Sequence, residues 1–308
     1  MQPMLLFTAC SGIDRVQLRR ALMLLSTLML AGCALFAARD HDEIILAAAG
    51  DIAQCGLNSA DKSYAAQTAA LLNKFDATVL AVGDLAYSNG TASEFQHCYQ
   101  PTWGRFKSRT LPVPGNHEYA STNAQPYFDY WGSQAGEPGK GYYATQLGSW
   151  RIIALNSNID AEIKSEQASW LRDELALHKS RCTLAFWHHP IVSSGEHGND
   201  PRMGALWKLL FDAGADLVIT AHEHDYERFA PLNDRGELDN QRGIRQIVVG
   251  TGGAKLRRFL GTHPHSEVRD HETFGVIKLK LQTSSYEWQF IPIDGQTFTD
   301  SGAGICHD

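Results

Sequence analysis

The sequence is short of positive charge. It has 27 lysines and arginines against 34 aspartates and glutamates, a formal charge of −7 over 308 residues. The first 38 residues hold Asp14, Arg15, Arg19 and Arg20, a net of +2, which leaves −9 for the rest of the chain. Proteins that grip nucleic acid neutralise phosphates with clustered cations, so no nucleic-acid partner is expected. A small phosphate ester is still admissible as a substrate, because bound metal ions can reverse the field within one cleft. Closely spaced cysteine pairs are also missing, and this argues against a cysteine-ligated zinc site. No internal repeat, low-complexity tract or linker follows the first 38 residues, so 39–308 reads as one domain. With 44% hydrophobic and 20% charged residues, it has the makings of a sizeable core.

Residues 1–38 read as a leader. Arg19-Arg20 precedes an uncharged run, 21–38, rich in Leu, Met and Ala. A basic flank, an apolar run and then small residues form the pattern of a secretory signal. The run is also long enough for an uncleaved anchor. Leu30-Ala31-Gly32-Cys33 looks like a bacterial lipoprotein signal, in which the Cys33 thiol would carry lipid. The protein is therefore expected to be exported: periplasmic, an outer-membrane lipoprotein or secreted. A lipid on Cys33 is the one membrane attachment expected. Past the leader, Cys55, Cys98, Cys182 and Cys306 form an even set for an oxidising compartment. Three connectivities are open; one of them joins Cys182 to Cys306 and Cys55 to Cys98.

Hydrophobic patterning predicts strands over 43–50, 78–83, 110–114, 182–187, 216–220 and 246–250. Hairpins are expected over 142–156 and 274–292. Helical spacing marks 61–75, 165–179 and 204–213, with Trp170, Leu171, Leu175 and Leu177 as the buried positions of the second. Strands alternating with helices give an α/β class, and the extra strands in the middle and at the end suggest a second sheet.

Five of these strands end in polar clusters: Asp51; Asp84 with Tyr87; Asn116-His117; His188-His189; and His222-Glu223-His224. Singly, each is ordinary. An Asp after Gly at a strand end is usually a cap or turn residue, and Asn after Gly is usually a turn. In open α/β sheets, however, sites form at the carboxyl ends of strands. Five such ends together would gather carboxylates, imidazoles, an amide and a phenol. His222 and His224, two apart on extended chain, project to one face. This oxygen and nitrogen set suits iron, zinc or manganese better than calcium or magnesium.

Taken in order, Gly-Asp (50–51), Gly-Asp-x-x-Tyr (83–87), Gly-Asn-His-Glu (115–118), His188 after an apolar strand, and His-x-His (222–224) resemble the calcineurin-like metallophosphoesterases. Tyr87 narrows the resemblance to the purple acid phosphatase-like branch. Pro-Thr-Trp-Gly (101–104), His-Gly-Asn-Asp (197–200), Asp-Tyr-Glu-Arg-Phe (225–229) and Val-Gly-Thr-Gly-Gly (249–253) are similar to bacterial secreted members. The resemblance implies a four-layer α/β fold, two mixed β-sheets packed as a sandwich and flanked by helices. It implies one metal on Asp51, Asp84, Tyr87 and His224 and a second on Asp84, Asn116, His188 and His222, with Asp84 between them. Two ions follow, iron with zinc, manganese or a second iron, and a violet colour if Tyr87 binds iron as phenolate. The chain departs from the family at Ala221, where a Gly is usual before His-x-His.

The activity implied is hydrolysis of phosphate monoesters by a hydroxide shared between the two ions. His117, beside a ligand, is the candidate general acid, and His197 the candidate contact to substrate phosphate. Bland readings exist for both: a structural His117 and a solvated loop His197. His189 reads as structural, Asp225 and Glu227 as hydrogen-bond partners of ligand imidazoles, and Arg228 as the partner of a carboxylate. A phosphodiesterase on the same site, or a non-catalytic surface lipoprotein stabilised by metal, are the alternative functions.

Overall fold

A computed structural model describes residues 43–54, 56 and 60–307. The leader, Cys33 and Cys55 lie outside these residues. The expected apolar runs are strands, and two sheets organise them. In the first, the order is β15-β14-β13-β1-β3-β5. Here β1 (Ile44–Ala49), β3 (Thr78–Val82) and β5 (Thr110–Val113) run parallel, and β13 (Gly275–Leu281) joins antiparallel to β1. In the second, the order is β12-β10-β11-β9-β8-β7-β6, with β7 (Trp150–Ala154), β8 (Cys182–Phe186), β9 (Leu217–Thr220) and β11 (Arg245–Val249) parallel and β6 (Tyr143–Leu147) antiparallel to β7. These central strands are almost wholly buried. Parallel strands covered on both faces read as continuous apolar runs, and that is why they are legible in sequence.

One core joins the inner faces, with Leu46, Leu80 and Val276 from the first sheet and Leu184, Ile219 and Ile247 from the second. The helix Tyr64–Leu72 adds Ala65, Ala69 and Leu72 to it. A second cluster covers the other face of the second sheet, where Leu171, Leu206, Trp207 and Leu210 meet Ile153, Val218 and Val248. Two of the helices begin at a serine cap. Ser63 Oγ accepts from Ala66 N at 3.1 Å, and Ser165 Oγ accepts from Ala168 N at 3.0 Å. Such caps contribute about 1 kcal/mol each. The result is the expected four-layer α/β sandwich.

Leu177 is a correction. It is 77% exposed, and the helix Glu166–Leu177 buries Gln167, Ala168, Leu171 and Glu174 instead. Leu177 is the last residue of the helix, with His178 as its C-cap. Glu174 takes an inward position because Arg151 Nε donates to its carboxylate at 2.5 Å.

Three strands carry too weak a pattern to be read from sequence. β12 (Ser266–Asp270) is a polar edge strand, and β10 (Tyr226–Phe229) follows the His pair at once. β15 (Ser301–Ile305) is nearly all small residues. Its glycines are required by its neighbour β14 (Ser285–Pro292). A β-carbon on Gly302 would lie 2.3 Å from the Trp288 ring, and one on Gly304 would lie 2.3 Å from the Tyr286 ring. After β15, Cys306 is disulfide-bonded to Cys182 at the start of β8, as one of the open connectivities has it. The bond spans 124 residues and ties the end of the first sheet to the second. In the chain-entropy picture a loop of that size contributes about 5 kcal/mol.

Candidate metal centre

The carboxyl ends of β1, β3, β5, β8 and β9 bring the seven predicted ligands together. Asp51, Asp84, Tyr87, His188 and His224 are buried. Three of the seven have left-handed backbone: Asp51 at φ 55°, Asp84 at φ 51° and His222 at φ 71°. That region costs a non-glycine residue on the order of 1 kcal/mol, a strain that collects at functional sites.

The two carboxylates are held in the same way. Each has one oxygen fixed by a backbone amide and the other turned toward side chains. His222 N donates to Asp51 Oδ2 at 2.8 Å, and His117 N donates to Asp84 Oδ1 at 2.8 Å. Asp51 Oδ1 then lies 2.5 Å from Tyr87 Oη and 3.2 Å from His224 Nε2. Asp84 Oδ2 lies 3.1 Å from Tyr87 Oη and 3.1 Å from His188 Nε2. His224 Nε2 is 3.1 Å from Tyr87 Oη, and His188 Nε2 is 3.2 Å from Asn116 Oδ1. The His222 ring is 5.0 Å from that of His188. Two groups result, Asp51/Tyr87/His224 and Asn116/His188/His222, and Asp84 faces both.

The imidazoles are oriented by backbone. His188 Nδ1 donates to Val82 O at 2.9 Å, and His224 Nδ1 donates to Lys255 O at 2.7 Å. Each Nε2 is thereby left as the inward donor atom, the usual arrangement around a ligated metal. This corrects the reading of Asp225 and Glu227. Glu227 accepts instead from Ser194 N and Oγ at 2.8 and 2.5 Å. The Asp225 carboxyl is buried with no hydrogen-bond partner among the described residues. Burial first, then Glu227 and Glu223, pushes its carboxyl well up. Arg228 does pair with carboxylates, its Nε donating to Asp300 at 2.6 Å.

The electrostatics fit a cation. Burial opposes ionisation of Asp84, but the His188 and His117 charges overcome it and hold the carboxyl well below the usual range. Burial lowers His188, yet Asp84 raises it to about 9. Burial, with His188 next, takes His222 down to about 3, so its imidazole is a neutral donor. Tyr87 is pushed well up, first by burial and then by the Asp51 and Asp84 charges. Only a strong cation beside its oxygen would make it a phenolate. Hard oxygen and imidazole donors converging at hydrogen-bond distance are what such ions take.

The two remaining candidates border this set. His117 Nδ1 donates to Ser88 O at 2.5 Å, and Nε2 lies 3.7 Å from Asp84 Oδ2. His197 packs its ring 4.3 Å from that of His222, and its Nδ1 donates to Glu223 Oε2 at 3.2 Å. His189 is buried against His222, with Nδ1 and Ser157 Oγ 2.7 Å apart, which is the structural role expected.

Glu118 was not singled out from the sequence. It is fully buried and accepts from Leu85 N, Ala86 N and Gly115 N at 2.8, 3.1 and 2.8 Å, clamping the Asp84 and Asn116 loops together. Burial, then Asp84, raises its carboxyl to about 7. A Glu three residues past a helix start is the signal that marks it. Arg257 is the other residue missed; its Nη1 donates to His197 Nε2 at 3.0 Å.

Residues 38–226 match the family model of the calcineurin-like phosphoesterases. Among relatives, the chain is 27% identical to purple acid phosphatase 18 of Arabidopsis thaliana over 271 residues, 79% of this chain and 58% of that protein. It is 31% identical to purple acid phosphatase 15 of the same plant over 212 residues, 57% of this chain and 40% of that one. The chain thus spans about half the length of the curated relatives it matches. Among solved structures, a purple acid phosphatase from yellow lupin (Lupinus luteus) seeds superposes with a TM-score of 0.71 at 22% identity, over 87% of this chain and 54% of that one. That likeness bears on the fold.

Proposed function

The chain belongs to the calcineurin-like phosphoesterase family, on its purple acid phosphatase-like branch, and from that premise we propose that it hydrolyses phosphate monoesters at a dinuclear metal centre. The observation that carries the reading is Asp84 Oδ2, at 3.1 Å from a residue of each ligand group. Asp51, Asp84, Tyr87 and His224 would hold one ion, and Asp84, Asn116, His188 and His222 the other. A carboxylate can serve two ions, whereas an amide or imidazole is normally terminal. The donor set suits iron at the Tyr87 side with zinc, manganese or a second iron opposite. When bound, such a pair supplies a lowered pKa for water and positive charge for the phosphate oxygens.

The chain's own residues do the rest. With its Nδ1 proton on Ser88 O, His117 presents Nε2 to the centre. A proton carried there would pass to the leaving oxygen as the ester bond breaks. His197 is fixed by Glu223 beside His222, at the rim of the centre, and to contact a phosphate oxygen its Nε2 would have to exchange its bond from Arg257 for one to the substrate. The Cys182–Cys306 disulfide supports an exported protein, because such bonds persist in oxidising compartments. No helix among the described residues is long and apolar enough to cross a membrane.

The test compares p-nitrophenyl phosphate with its bis-ester, with and without chelator. Monoester turnover that chelation abolishes is expected. Turnover of the bis-ester alone would make the protein a phosphodiesterase. No turnover of either by metal-replete protein would contradict hydrolysis and favour the non-catalytic alternative.

A further inference from the structure

Thr91-Ala92-Ser93-Glu94 has the spacing of a capping box, a Thr followed three residues later by a Glu. The box is formed at the short helix Ala92–Glu94: Thr91 Oγ1 accepts from Glu94 N at 3.2 Å, and Thr91 N donates to Glu94 Oε2 at 2.8 Å. A box of this kind uses one carboxylate oxygen and reaches no further than its own cap. Glu94 reaches further. Its Oε1 accepts from Ser88 N at 2.5 Å, and its Oε2 accepts from Asn89 N at 3.2 Å and from Thr91 Oγ1 at 2.9 Å. Three backbone amides of the loop that follows Tyr87 converge on one carboxylate, and hydrogen bonds to such an acceptor are about twice as strong as neutral ones.

That loop aims His117. Ser88, whose amide is held by Glu94, turns its carbonyl to His117 Nδ1 at 2.5 Å. The bond on one imidazole nitrogen sets which nitrogen is free, so Nε2 is the one left toward the centre. Packing alone does not fix this ring. Its side chain is 27% exposed, and it rests on the Tyr87 ring at 4.3 Å. The loop lies close against the helix Asn116–Tyr119 that carries His117. Gly90 has φ 57°, and a β-carbon there would lie 2.9 Å from His117 O and 2.5 Å from Glu118 Cα. Ser121 Oγ donates to Asn89 O at 2.7 Å from the same side. Glu94 holds the loop from the opposite end, through the residue that tethers the imidazole.

We propose that Glu94 is a positioning residue for proton transfer: by fixing the Ser88 backbone it holds His117 as the Nδ1–H tautomer, with Nε2 directed at the leaving oxygen. Glu94 touches neither the ligand set nor the reacting atoms, and its effect passes through Ser88 to His117 alone. The inference rests on the proton-donor role proposed above for His117.

The experiment compares wild type, E94A, E94Q, H117A and the E94A/H117A double variant, all metal-loaded, on ethyl phosphate and p-nitrophenyl phosphate. E94A should lower kcat for ethyl phosphate by about 10- to 100-fold with KM little changed, the effect of a group displaced by about 1 Å. The fall on p-nitrophenyl phosphate, whose leaving group departs without a proton, should be much smaller. E94Q keeps one acceptor oxygen and should recover part of the rate; if E94A does not fold, E94Q carries the same comparison. In the H117A background E94A should add no further loss. Equal falls on both esters, a further loss on top of H117A, or a loss of bound metal would overturn the proposal and leave Glu94 a structural cap. If wild type turns over neither ester, the hydrolytic reading fails, and nitrogen NMR of isotope-labelled histidines in the zinc-loaded protein still decides this one. Wild type should show His117, identified by its absence from H117A, as the Nδ1–H tautomer, and E94A should lose that signal. The other tautomer in wild type, or an unaltered His117 signal in E94A, overturns it.

Discussion

Gly50 and Ala221 stand face to face behind the metal centre. A β-carbon on Gly50 would lie 2.4 Å from that of Ala221, and 2.6 Å from the carbonyl of Val82. The position before the His pair, where the family usually has Gly, carries a methyl here because the strand opposite leaves room for it. Ala221 is fully buried, and its N donates to His188 O at 2.9 Å.

From that contact, G50A is expected to destabilise by about 1–3 kcal/mol through overpacking. It would also displace the neighbouring Asp51 and lower metal content. A221G removes only the methyl and should keep both metal content and activity near wild type. Thermal unfolding and metal analysis of the two variants check this; equal damage from both would show that the facing pair is not what sets the spacing.

His117 is predicted to act on the leaving group and not on the metals. H117A should lower kcat by about 10²–10⁴ for an alkyl phosphate, whose leaving oxygen needs a proton. The fall should be much smaller for p-nitrophenyl phosphate, whose leaving group departs without one. Metal content should not change, because the seven proposed ligands would hold the ions without it. Equal losses on both esters would assign His117 a structural part instead.

Away from the site, Asp300 makes stability depend on acid. Burial works against its ionisation, but hydrogen bonds from Arg228, Tyr226 and Trp288, at 2.6, 2.7 and 3.1 Å, hold the carboxyl below its ordinary value. The folded pKa is thus below the unfolded one, about 3.9. Its contribution is complete above that value and is lost as pH falls through the folded pKa. D300N should cost about 1–3 kcal/mol at pH 7, and the gap to wild type should close below about pH 4. Urea unfolding from pH 7 to pH 3 measures it; a gap that does not narrow would mean that the carboxylate's charge plays no part.

The predicted ligand positions converge as the sequence order suggests, since each follows an apolar run that folds as a buried strand. The groups that aim them left less trace. His188 and His224 are oriented by the carbonyls of Val82 and Lys255, and any residue type supplies a carbonyl. Asp225 and Glu227 have the chemistry of imidazole partners, but Glu227, on β10, turns to Ser194, and the carboxyl of Asp225, just before that strand, meets no hydrogen-bond partner among the described residues. β15 was invisible because the rings of Trp288 and Tyr286 demand glycine opposite, which erases the apolar alternation. Arg257 was overlooked because a basic run is ordinarily a solvated one, and only the fold folds it back over His224.

The account depends most on Asp84 serving two ions at once. The direct measurement is metal content per chain, by elemental mass spectrometry on protein saturated with iron and zinc, for wild type and D84N. Wild type should hold two ions and D84N at most one, with turnover of p-nitrophenyl phosphate lower by at least about 10²-fold. A wild-type chain that saturates at one ion, or a D84N chain that keeps both, would contradict it.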